Sequence, residues 1–125
     1  MNENQISRII VESALKIHKQ LGPGLLESAY EKCLFYELNK RGLSVEQQKV
    51  FSINYESILL DKAYRTDLVI NNKVIIEIKS VKELHTVHSM QLLTYLRLSN
   101  MRLGMLINFN VELIKHGIKR LVNNL

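Results

Sequence analysis

Residues 64–80 read Y-R-T-D-L-V-I-N-N-K-V-I-I-E-I-K-S, two runs rich in Val and Ile on either side of an asparagine pair. This pattern is typical of a β-hairpin. The second run alternates strictly, so that Glu77 and Lys79 fall on one face of the strand. A carboxylate and an ammonium group are therefore predicted to share one side of a strand that is otherwise apolar and buried.

The length of the hairpin loop decides whether Asp67 joins these two residues. A two-residue loop would set Asp67 opposite Ile76, whereas a three-residue loop at 71–73 would set it opposite Glu77. We favour the three-residue loop. Directly opposed residues have Cβ atoms about 4.5–5.5 Å apart, so the two carboxylates could hold one divalent cation between them. Without a cation or Lys79 to compensate, their repulsion should raise a pKa.

The length and composition predict one folded domain over residues 1–125. The chain is close to the commonest domain size, and 46% of its residues are hydrophobic. No apolar run approaches the roughly 20 residues of a membrane span, and the N-terminus lacks the regions of a signal peptide. We therefore expect a cytoplasmic protein that does not bind membranes. The lone Cys33 cannot form an internal disulfide, and no zinc-site spacing is present.

The charge balance favours an anionic partner such as nucleic acid. The chain has 17 Lys and Arg residues against 12 Asp and Glu residues, a net charge of +5. Many proteins of similar charge bind no nucleic acid, so the balance supports this partner without identifying it.

Apolar spacing and turn residues predict the secondary structure. Three helices are expected at residues 4–21, 25–41 and 87–98. Strands are expected in two segments between 45 and 60 that meet at the polar pair 56–57, at 64–70 and 73–79 in the hairpin, and at 103–107. Residues 111–114 are a further candidate strand, and residues 118–122 are ambiguous.

Two groups of polar residues on the helices have both a structural and a functional interpretation. Glu27 falls in the first turn of the second helix, where an acid stabilises the helix dipole by roughly 0.3–1 kcal/mol. His88, Gln91 and Tyr95 form one stripe along the third helix, and such a stripe is usually a solvated face. Residues 22–24, Gly-Pro-Gly, either simply end the first helix or also direct the start of the second.

Taken together, four motifs carry a resemblance to a known family. Residues 24–30 read G-L-L-E-S-A-Y, Asp67 precedes E-I-K at 77–79, residues 88–96 contain Q-x-x-x-Y, and N-F stands at 108–109. In this order they resemble the G-x-x-E-x-x-Y protein family, a branch of the PD-(D/E)xK nuclease superfamily. Asn110 departs from the glycine usual in the family at that position.

The resemblance implies a fold of the α/β (α+β) class with a restriction-endonuclease-like core. A mixed, mainly antiparallel sheet of about four to five strands would be flanked by helices. The implied activity is metal-dependent hydrolysis of phosphodiester bonds, with DNA as the expected partner and RNA left open. Because nucleases this small often need a second subunit to cut both strands, a homodimer is a further expectation.

The resemblance also implies roles for individual residues. Asp67 and Glu77 would be the main ligands of Mg²⁺ or Mn²⁺, with the backbone carbonyl of Ile78 as a further ligand and Glu27 as an outer or second-metal ligand. Lys79 would stabilise charge at the phosphate. The remaining site residues would support these groups or contact the phosphate: Gln91, Tyr95, His88 and Tyr30.

Two other functions are compatible with the sequence. One is a catalytically silent module that keeps the fold and binds nucleic acid or protein. The other is a structural protein whose carboxylates are ordinary surface charges, which predicts no binding of magnesium.

Overall fold

A computed structural model describes all residues, 1–125, as a five-stranded sheet with helices on both faces. The sheet order is β1-β2-β3-β4-β5; the β3–β4 pair is parallel, and the other pairs are antiparallel. The elements, in chain order, are α1 (Glu3–Leu21), α2 (Glu27–Lys40), β1 (Val45–Tyr55), β2 (Ile58–Ile70), β3 (Val74–Lys79), α3 (Thr86–Ser99), β4 (Leu103–Asn108), a 3₁₀ turn (Ile114–His116) and β5 (Ile118–Val122). The predicted α+β class with a mixed sheet is confirmed.

The two faces of the sheet bury different apolar clusters because side chains alternate along each strand. α1 and α2 pack on the face that carries Leu68, Ile76 and Ile78. α3 packs on the opposite face, against Val69 and Ile75. Asp67 lies on the same face as Val69, and Glu77 on the same face as Ile75. Both carboxylates therefore belong to the face that α3 covers only in part.

The hairpin register agrees with the three-residue loop. Leu68 pairs with Ile76 and Ile70 pairs with Val74, which leaves residues 71–73 in the loop and sets Asp67 opposite Glu77. Asn71 and Asn72 both adopt positive φ, at 51° and 54°. Asparagine tolerates this left-handed conformation better than most residues, which explains why the pair stands at this turn.

Two strand predictions are wrong. The segments at 58–60 and 64–70 form one continuous strand, because β2 pairs with β1 on both sides of residues 61–63, where the register shifts between Phe51 and Ile53. Residues 58–63 are all exposed, so no burial pattern marks their place in the sheet. The candidate strand at 111–114 is instead an irregular segment leading into the 3₁₀ turn, where the Val111 carbonyl accepts a hydrogen bond from His18 Nε2 at 2.8 Å. The ambiguous residues 118–122 form β5.

No helix of the structure has both the length and the apolar character needed to cross a membrane.

Close packing at two glycines gives a test of the fold. A Cβ atom at Gly117 would overlap with the backbone carbonyl oxygen of Asn108, whereas one at Gly104 would lie 2.9 Å from Cγ of the Leu92 side chain. Backbone cannot move aside as a side chain can, so we expect Gly117→Ala to lower the free energy of unfolding by about 3 kcal/mol and Gly104→Ala by about 1 kcal/mol. Urea denaturation of both variants measures this, and equal losses would contradict the packing described.

Candidate active site

The carboxylates of Asp67 and Glu77 each accept a hydrogen bond from a main-chain N–H of the neighbouring strand. The backbone N–H of Asp67 donates to Glu77 Oε2 at 2.8 Å, and the backbone N–H of Ile78 donates to Asp67 Oδ2 at 2.8 Å. The paired register of β2 and β3 ends one position earlier, at Leu68 and Ile76. The two carboxylates therefore accept hydrogen bonds from main-chain N–H groups at the position where β2 and β3 stop pairing.

Burial and the nearby charge of Asp67 raise the pKa of Glu77. Glu77 is only 6% exposed, and its burial, followed by the charge of Asp67, raises its pKa to about 8. The charge of Lys79, two residues along the same face, lowers it in part. Charge repulsion was expected from the sequence, but the larger cause is removal of Glu77 from water.

The pair presents oxygen atoms suited to a hard divalent cation. Glu77 Oε1 accepts no hydrogen bond, and Asp67 Oδ1 accepts one only from the Gln48 side chain, at 3.2 Å. Carboxylate oxygens are the ligands that Mg²⁺ and Mn²⁺ prefer, and a bound cation would favour the ionised form of Glu77. These residues fit a metal ion. No group of three or more His, Cys, Asp or Glu side chains is arranged to hold one, so Glu27 does not complete a cluster of three.

Glu27 instead connects α2 to the end of β3. Its Oε2 accepts a hydrogen bond from the backbone N–H of Ser80 at 3.1 Å, and Ser80 Oγ donates to the carbonyl oxygen of Leu25 at 2.7 Å. Ser80 directly follows Lys79. Glu27 is exposed and borders a surface pocket lined by Gly24, Leu25, Leu26, Ser28, Ser80 and Asn110. The structure thus places Glu27 beside the segment that carries Lys79.

Tyr30 fixes the turn that precedes Glu27. Its hydroxyl donates to the carbonyl oxygen of Gly22 at 2.6 Å and accepts from the N–H of Leu25 at 3.1 Å. Its ring is fully buried and stacks on Phe109, with centroids 4.4 Å apart. Gly24 has φ of 100°, a conformation that side chains rarely adopt. The Gly-Pro-Gly turn therefore does direct the first turn of α2.

The Asn-Phe pair at the end of β4 holds the segment that follows Lys79. The N–H of Phe109 donates to the Lys79 carbonyl oxygen at 3.0 Å. The side chain of Asn108 bonds both main-chain groups of Val81, at 3.1 and 3.0 Å. Asn110 reinforces the same segment, because its Nδ2 donates to the Val81 carbonyl oxygen at 3.3 Å.

The predicted residues on α3 take different positions. Tyr95 lies nearest the carboxylates: burial raises its pKa, and the charges of Glu77 and Asp67 raise it further. Its ring stacks on Tyr64, which in turn stacks on Phe51, with centroids 4.6 and 4.8 Å apart. Gln91 is exposed one turn away. His88 Nδ1 accepts a hydrogen bond from the backbone N–H of His85 at 3.1 Å, which caps the start of α3.

Three polar residues beside the site were missed in the sequence. Gln48 on β1 donates to Asp67 and also to Glu31 on α2, at 2.7 Å to Oε1. Gln47 donates to the other oxygen of Glu31 at 3.3 Å. Burial, followed by the charge of Asp67, raises the pKa of Glu31. The only sequence signal was Glu31 lying one helical turn after Glu27.

Replacement of the Tyr30 hydroxyl tests its role at the turn. Tyr30→Phe removes two buried hydrogen bonds and leaves the stacked ring, so we expect a loss of about 2 kcal/mol in the free energy of unfolding. Tyr36→Phe, on the same helix and 66% exposed, should change it by less than about 0.5 kcal/mol. Chemical denaturation compares the two, and a neutral Tyr30→Phe would show that the turn does not depend on the hydroxyl.

Because the pKa of Glu77 is raised, the free energy of unfolding should depend on pH when a chelator keeps metal ions from the site. Between the ordinary carboxyl pKa of 4.5 and about 8, the unfolded chain ionises while the folded protein keeps Glu77 protonated. Stability should therefore fall as pH rises through this window. Each pKa unit corresponds to about 1.4 kcal/mol.

The Glu77→Gln variant isolates this contribution. At pH 9 it should exceed the wild type in unfolding free energy by several kcal/mol, and at pH 5 the two should agree within about 1 kcal/mol. Urea denaturation at both pH values gives the difference. A variant less stable than the wild type at pH 9 would mean that the ionised pair stabilises the fold.

The chain resembles known proteins in both sequence and fold. The family model of the PD-(D/E)XK nuclease superfamily matches residues 4–121. The crystal structure of SSO0001 resembles the chain with a TM-score of 0.60 and 26% sequence identity, over 97% of this chain and 63% of that one. No curated protein matches. Since the family match extends over nearly all of the sequence, the chain belongs to the PD-(D/E)XK nuclease superfamily.

Proposed function

We propose that the protein is a metal-dependent nuclease of the G-x-x-E-x-x-Y branch that hydrolyses phosphodiester bonds in DNA. The observation that carries this proposal is the pair of opposed carboxylates, Asp67 and Glu77, each of which accepts a main-chain N–H, with Lys79 on the same face of the sheet. The superfamily suggests nuclease activity and a nucleic-acid substrate, and its members typically use divalent metals.

The carboxylates would hold Mg²⁺ or Mn²⁺, together with the Ile78 carbonyl. When bound, the ion supplies positive charge against the phosphate and polarises a water molecule. The burial that raises the pKa of Glu77 supports this assignment, because a divalent cation would offset the charge that folding confines there. Glu27, which accepts the N–H of Ser80 next to Lys79, would be an outer ligand or a ligand of a second ion.

Lys79 would stabilise negative charge at the scissile phosphate. Its side chain forms no ion pair or hydrogen bond within the protein, and Phe109 holds its backbone in place. An ammonium group on the face that carries both acids suits an electrostatic role, whereas service as a base would require desolvation or neighbouring cations that favour the neutral amine. Gln91 and Tyr95 would contact the phosphate or support the ligands, Tyr30 would fix the turn before Glu27, and His88 would support the start of α3.

A silent binding module is the second candidate. One observation favours it: Glu27 is engaged by the Ser80 backbone, and only two carboxylates form the central group. Such a module would bind nucleic acid in a salt-sensitive manner without cutting it.

Cleavage assays with labelled single-stranded, duplex and branched DNA and RNA distinguish the two candidates. With Mg²⁺ or Mn²⁺ present, Glu77→Gln and Lys79→Met should each lower the cleavage rate at least about 100-fold, because each removes charge from the reacting centre. Lys82→Met, an exposed neighbour in the following loop, is the matched control and should stay within about twofold.

Three results would contradict the proposal. Cleavage that survives both site substitutions would point to a contaminating enzyme. Salt-sensitive binding without cleavage by the wild type would favour the silent module. Magnesium titration that produces neither heat nor a change in melting temperature would exclude a metal site at these residues.

A further inference from the structure

Gln48 occupies an unusual backbone conformation directly opposite Asp67. Gln47 pairs with Leu68 and Lys49 pairs with Thr66, so Gln48 lies across from Asp67 within the β1–β2 pairing. Its φ is 50°, in the left-handed region. A residue other than glycine adopts this conformation inside a strand only when its surroundings compensate for the strain.

The backbone conformation of Gln48 lets the side chains of Gln47 and Gln48 reach the same carboxylate. In a regular strand, the side chains of residues 47 and 48 would point to opposite faces of the sheet. Here both glutamines donate to the carboxylate of Glu31 on α2, at 3.3 and 2.7 Å. Gln48 can therefore reach around the strand to α2 while it still contacts Asp67.

The Gln48 amide nitrogen lies between two carboxylates. It is 2.7 Å from Glu31 Oε1 and 3.2 Å from Asp67 Oδ1, and an amide has two N–H groups to share between them. Asp67 Oδ2 already accepts the N–H of Ile78. Hydrogen bonds thus fix the orientation of both Asp67 carboxylate oxygens. Each oxygen keeps a lone pair that can bind a cation.

We propose that Gln48 is a positioning residue, which fixes the Asp67 carboxylate for the divalent metal and is itself anchored by Glu31 on α2. The inference rests on the proposed function, since it assigns Asp67 to the metal. Polar groups that orient a metal ligand in this way commonly change metal affinity or activity by 10- to 100-fold when they are removed.

Gln48→Gly separates positioning from stability. Glycine accepts the left-handed backbone without strain, so the melting temperature should not fall, but the amide donor is lost. We expect the dissociation constant for Mn²⁺, measured by calorimetric titration of the purified protein, to rise about tenfold. The Mg²⁺ concentration for half-maximal cleavage should rise similarly, with KM for the DNA changed by less than about twofold.

Three further variants complete the test. Gln47→Ala is the matched control, because Gln47 contacts Glu31 but not Asp67, and it should bind Mn²⁺ within about twofold of the wild type. Glu31→Gln keeps an oxygen acceptor for Gln48 and should retain most of the affinity. Glu31→Ala removes the anchor and should weaken binding about as much as Gln48→Gly does.

The outcomes distinguish this proposal from the one on which it rests. If the wild type binds Mn²⁺ and Gln48→Gly binds it equally well, the role of Gln48 is wrong and the nuclease assignment is unaffected. If the wild type binds no Mn²⁺, both fail. Should Gln48→Gly not fold, equal affinity in Glu31→Ala and Glu31→Gln would overturn the proposal.

Discussion

The site depends on one constraint, the need to satisfy main-chain donors where two strands stop pairing inside the protein. An unpaired N–H group at a buried position costs free energy comparable to a lost hydrogen bond. Here the N–H groups of Asp67 and Ile78 are satisfied by the carboxylates of Glu77 and Asp67. The same bonds that complete the sheet therefore set the orientation of both acids.

This arrangement gives the carboxylates a structural and a chemical role at once. Glu77 is needed as an acceptor by the fold, but its burial makes the ionised form unfavourable. α2 contacts the neighbourhood of this pair at two points. Glu27 accepts a hydrogen bond from the N–H of Ser80, and Glu31 accepts one from the side chain of Gln48. The helix that follows the Gly-Pro-Gly turn is thus connected to both the β1 side of the site and the end of β3.

Much of the fold was predictable, because it follows from side-chain alternation and turn residues. The Asn71–Asn72 pair indicated the turn but left two loop lengths open, and only the three-residue loop, which the structure shows, sets Asp67 opposite Glu77. The unbroken course of β2 was not predictable, since residues 58–63 are exposed and only pairing with β1 on both sides of residues 61–63 makes β2 one strand. Gln48 was missed because its left-handed backbone breaks the alternation, and glutamine gives no sign of that conformation.

The hairpin loop has a consequence for the order of folding. The two hydrogen bonds that the carboxylates accept join residues 10 and 11 positions apart in the sequence. The hydrogen bond between Ser80 and Glu27 joins residues 53 positions apart. Loop-closure entropy grows with separation, and distant contacts form more slowly. The acidic pair therefore belongs to a local unit that can close before α2 docks on it. By the same reasoning, α2 can detach in a partial opening of the protein while the two acids stay together.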